Sequence, residues 1–96
     1  MATLELRTQA PDRARALLQQ AIERERRLIA EGLTRTREKV AFLAAKIGVE
    51  EDAVRGGRVP HPEEKDMELL ELEGEMELSA RLEEQLRVID GLEICP

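Results

Sequence analysis

The sequence predicts an all-α fold: an antiparallel helical hairpin of two long amphipathic helices that dimerises into a four-helix bundle, with a short N-terminal strand as a possible addition. Three observations predict it. Apolar residues recur every three or four positions over two long stretches, residues 12–47 and 62–93. A breaker segment, Gly48 and then Gly56-Gly57-Arg58-Val59-Pro60, separates them. The stretches also differ in charge. The first holds nine Lys/Arg against five Asp/Glu, a net of +4, and the second three against twelve, a net of −9. Opposite charge on two long helices suits a chain that folds back on itself, basic helix against acidic helix.

Each element follows in order. Residues 1–10 include Thr3-Leu4-Glu5-Leu6-Arg7-Thr8, where apolar and polar side chains alternate as in a strand. One isolated strand cannot satisfy its backbone, so this segment is either a disordered arm or a strand that pairs with another chain. Pro11-Asp12 opens the first helix, both residues being at home in a first turn. Its stripe runs Leu18, Ile22, Ile29, Leu33, Val40, Leu43, Ile47, and Gly48 followed by Val49 fits a left-handed cap with its hydrophobic contact. The connector is residues 48–61, with one or two helical turns from Glu50 to Arg55 and an extended Val59-Pro60-His61-Pro62. Pro62-Glu63-Glu64 then starts the second helix with acid at its positive end. Its stripe reads Met67, Leu70, Leu78, Leu82, Leu86, Ile89, Leu92.

Matching the stripes in an antiparallel pair, with Ile47 opposite Glu63, makes facing residue numbers add to about 110. Leu43 then faces Met67, Val40 faces Leu70 and Leu18 faces Leu92. In this register Glu25 meets Gln85 as a polar layer in the core, and Thr36 meets Gly74. Such a layer fixes register in helix pairs.

Composition narrows the function classes. The chain has 96 residues, one Phe, no Trp or Tyr, and 38% charged residues. That is one small domain with an aliphatic core, more charged than the roughly 25% of an ordinary globular protein. The net charge of −6 argues against nucleic acid as a general partner. Arg24, Arg26, Arg27, Arg35 and Arg37 form a basic run, read as a solvated face paired with the acidic helix; no aromatic residues interleave to stack bases. No apolar run approaches the roughly 20 residues of a membrane span, and no secretory signal is present, so no membrane contact and a cytoplasmic location are expected.

Few residues suggest chemistry. Glu25, Glu71 and Glu75 resemble the carboxylates of two-metal helical bundles, but those need Glu-x-x-His motifs. The single histidine, His61, lies in the connector, so no metal and no cofactor is expected. Cys95, near the C-terminus, has no adjacent base, and no catalytic residue is assigned. Leu69, Leu72 and Met76 lie off the main stripe at helical spacing. A two-helix hairpin cannot bury both strips, so these three are expected to form an interface with a second copy or another protein.

The pattern also resembles a family of small helical prokaryotic proteins, the antitoxin-side partners of TumE-type toxins in two-gene toxin–antitoxin systems. The resemblance covers residues 22–95. It rests on a long charged helix ending Lys46-Ile47-Gly48-Val49, the acidic turn Glu50-Glu51-Asp52, an acidic helix start at Asp66, the segment Glu71-Leu72-Glu73, and a leucine-rich end through Leu82, Leu86 and Ile89. Leu72 stands where the family pattern has an aromatic residue, and Arg58-Val59-Pro60-His61-Pro62 replaces an acidic-aromatic connector. The resemblance implies a non-catalytic protein that binds and neutralises a toxin encoded nearby. The alternatives are a DNA-binding autorepressor, in which paired strands carrying Thr3, Glu5 and Arg7 enter a major groove, and a helical bundle with a purely structural or oligomerising role.

Overall fold

A computed structural model of the chain describes residues 2–59 and 66–94. It contains helices α1 (Pro11–Ile47), α2 (Glu51–Arg55) and α3 (Asp66–Asp90). His61, the expected helix start at Pro62 and Cys95 lie outside the described residues. The molecule is a rod of 60 × 24 × 16 Å, whose length is that of α1, 37 residues at about 1.5 Å each. α3 runs back along α1, and α2 sits at the closed end of the hairpin, touching both long helices.

α1 starts with Pro11 at its first position and Asp12 in its first turn, and no later Pro interrupts it. It stops at Gly48, whose φ of 81° is the left-handed conformation that favours glycine. The Gly48 and Val49 N–H groups both donate to the Ala44 carbonyl, at 2.8 and 3.0 Å. Val49 then packs against the core, so the cap and its hydrophobic contact form as their sequence suggests.

The core lies at the closed end. Val40, Leu43, Ala44 and Ile47 of α1 meet Val54 of α2 and Leu69 and Leu72 of α3, with Met76, Val49 and Val59 at the margin. Ile29, Leu33 and Thr36 extend the buried face along α1. The Thr36 hydroxyl donates to the Gly32 carbonyl at 2.8 Å, which removes the cost of burying it. Beyond the core, Leu82, Leu86 and Ile89 are half-buried against α1.

The architecture is the expected all-α hairpin, but its register and the rotation of α3 are corrected. Lys46 reaches Glu68, Lys39 reaches Glu71 and Glu75, Arg37 reaches Glu83 and Arg26 reaches Asp90. Only Lys39–Glu71 has numbers adding to 110; the other pairs give 114 to 120, so α3 sits further along than expected. α2 supplies the reason. The connector carries a packed helix whose Val54 joins the core, and more chain is used before α3 meets α1. The inner face of α3 is then Leu69, Leu72, Met76, Ser79, Leu82, Leu86, Ile89, in unbroken steps of three or four residues. Ser79 concealed this path, because the apolar reading passed to Leu78 instead. Residues 2–10 are exposed and form no strand within the chain.

Candidate functional site

The rotation of α3 exchanges the roles of its two apolar strips. Leu69 and Leu72 are 1% and 0% exposed and are covered by α1 and α2 of their own chain. Met76 is half-buried beside them. These three are therefore core, not a surface open to a second chain. The correction follows from α2: the hairpin has a third wall, and it buries this strip internally.

The strip left outside is Met67, Leu70 and Leu78, which are 78%, 50% and 37% exposed. With Gly74 they lie at i, i+3, i+7 and i+11, one face of a helix opposite Leu69 and Leu72. A Cβ built at Gly74 meets no atom within 4 Å, so the middle of this face is flat and open. Glu71 and Glu77 border it, both exposed. The result is an apolar ridge with a shallow centre and an acidic rim. The helical spacing of Met67, Leu70 and Leu78 implies a core position, because aliphatic side chains in such a stripe are usually buried. Nothing in the sequence separates the strips, since Leu78 and Met76 both lead to Leu82 at helical spacing.

Glu25 and Gln85 are both exposed, so the structure forms no polar core layer from them. The shifted register brings Arg26, one residue from Glu25, beside Asp90 at the end of α3 instead. Thr36 is buried but bonds within α1, and Gly74 faces away from it.

The expected pairing of basic α1 with acidic α3 is present. Arg37 meets Glu83 at 3.0 Å, Lys46 meets Glu68 at 3.6 Å, and Lys39 lies 3.0 Å from Glu75 and 3.4 Å from Glu71. The hydrogen bond to Glu75, then that to Glu71, raises the Lys39 pKa above its ordinary value. Arg87 is likewise raised by Glu84, one turn back on α3. These pairs are substantially solvated, and such pairs set register more than they add stability.

One regularity was missed in the sequence. Arg13 and Arg15 recur as Arg24 and Arg26, then as Arg35 and Arg37, an 11-residue spacing that returns to nearly the same helix face. The second members Arg26 and Arg37 reach α3, whereas Arg15 pairs only with Asp12 of its own turn because α3 has ended. The first members Arg13, Arg24 and Arg35 are exposed, with no ion pair.

Among the described residues, no three His, Cys, Asp or Glu side chains gather closely enough to hold a metal ion, and no helix is long and apolar enough to cross a membrane. No protein-family model matches the chain, and neither the curated proteins nor the solved structures give a match.

Proposed function

We propose that the chain is a non-catalytic interaction protein that docks a protein partner on the outer face of α3. The observation that carries this reading is the exposure of Met67, Leu70 and Leu78 on the side opposite the core. Three large apolar side chains on one helix face match the way a helix lies in a partner's apolar groove, with anchors at i, i+3 and further turns. At the rim, Glu77 is exposed, which favours a groove edged by Lys or Arg. Gly74 lets the partner's backbone come close to α3.

The specific reading is an antitoxin-side protein whose partner is a toxin encoded nearby. It is supported by the resemblance in the helical and acidic segments, of which Asp66 and Glu71 lie beside the proposed face. The test is expression with the product of the adjacent gene. The wild-type chain should relieve the growth arrest that product causes, and Leu70→Glu, which alters an exposed side chain, should keep its helix content and lose the relief. A neighbouring product without toxicity would remove the antitoxin reading. Full neutralisation by Leu70→Glu would remove the α3 face.

A further inference from the structure

We propose that the N-terminal arm is one half of a two-stranded antiparallel ribbon formed with a second copy of this chain, with Leu6 on the two-fold axis and Glu5 of each copy paired with Arg7 of the other. The arm asks for a partner. None of residues 2–7 makes a hydrogen bond, and Leu4 and Leu6 are 87% and 72% exposed. Their alternation with Thr3, Glu5 and Arg7 would place both leucines on one side of a strand and both charges on the other.

The open end of the hairpin supplies a floor. Arg26 pairs with Asp90, the last residue of α3, so the turns of α1 before it have no helix alongside. Leu17 is 65% exposed there and Leu18 36%. With Leu4, Leu6, Leu92 and Ile94 they line a shallow cleft, open to solvent, of about 880 Å³. A ribbon laid over this end buries its leucine face against those side chains and satisfies two sets of backbone groups at once.

Charge selects the register and the occupant. With Leu6 opposite Leu6, Glu5 faces Arg7 twice, once on each side of the axis. Centring on Glu5 or on Arg7 sets like charges face to face, as does a parallel in-register pair, and a shift by one residue sets leucine against charge. The segment is thus self-complementary in the Leu6-centred antiparallel register, which points to another copy of itself. This proposal uses the arm and not the α3 face, so either can fail alone.

The test is a charge exchange followed by sedimentation. Glu5 and Arg7 are exposed and make no ion pair, so their substitution leaves the hairpin intact. Wild type should be a dimer. Glu5→Arg alone and Arg7→Glu alone should each weaken it roughly tenfold or more. The double variant Glu5→Arg/Arg7→Glu should restore it, and an equal mixture of the single variants should form heterodimers. In a Cys95→Ser background, Leu6→Cys should cross-link to dimer on oxidation, because facing residues in such a ribbon sit about 4.5–5.5 Å apart. A monomeric wild type would overturn the proposal. So would a dimer indifferent to the single reversals, or one that neither the double variant nor the mixture restores.

Discussion

Lys39 holds two carboxylates of the facing helix, and its raised pKa gives that contact a pH signature. A lysine whose folded pKa exceeds its unfolded value of 10.5 contributes stability that is fully present below that value and is lost as pH rises through the higher, folded one. Lys39→Met should therefore lower the thermal midpoint by a constant amount from about pH 7 to about pH 10 and converge with wild type above that. Added salt should shrink the gap, since the cluster is solvated. Thermal scans across that range check both points. Leu72 and Leu70 form a second contrast, two residues apart on one helix. Leu72 is fully buried and Leu70 half exposed. Leu72→Ala should cost about 2–5 kcal/mol through lost contacts and a cavity. Leu70→Ala should change the stability of the free chain by no more than roughly 0.5 kcal/mol. Chemical denaturation of the two variants measures the difference.

At the scale of elements, α3 is the helix whose neighbours decide its meaning. Its outer face contains Gly74 with open space around it, although glycine within a helix costs roughly 0.5–1 kcal/mol relative to alanine. Gly74→Ala should thus stabilise the free chain by about that amount. If a partner packs closely on this face, the same substitution should weaken its binding, so stability and affinity should move in opposite directions. Calorimetric unfolding beside a binding titration would show this.

The elements were largely legible in the sequence. Pro11, Asp12 and the left-handed Gly48 cap bound α1, and the charge split anticipated the ion pairs between α1 and α3, because these depend on local chemistry. The rotation of α3 was not legible. Met67-Leu70-Leu78 and Leu69-Leu72-Met76 are equally apolar, and the choice rests on α2, a five-residue helix whose packing through Val54 is a tertiary fact. The proposed polar layer failed for the same reason. Glu25 and Gln85 coincide only where facing numbers add to 110, and at this end of the hairpin Arg26 and Asp90 add to 116.

The whole molecule is a rod with different offers at its two ends. The closed end holds the core and carries the acidic, apolar outer face of α3. The open end leaves the first turns of α1 unpaired beneath a self-complementary arm. A dimer joined at the open ends would display two α3 faces far apart, able to engage two partner molecules. That arrangement depends first on which side of α3 is buried, which thiol labelling reads directly. In a Cys95→Ser background, Leu70→Cys should react with a small thiol reagent at nearly the rate of a free cysteine. Leu72→Cys should react at least about a hundredfold more slowly, because its thiol is reached only when the helix opens. Equal rates, or faster labelling at position 72 than at position 70, would contradict the rotation of α3 and with it the proposed docking face.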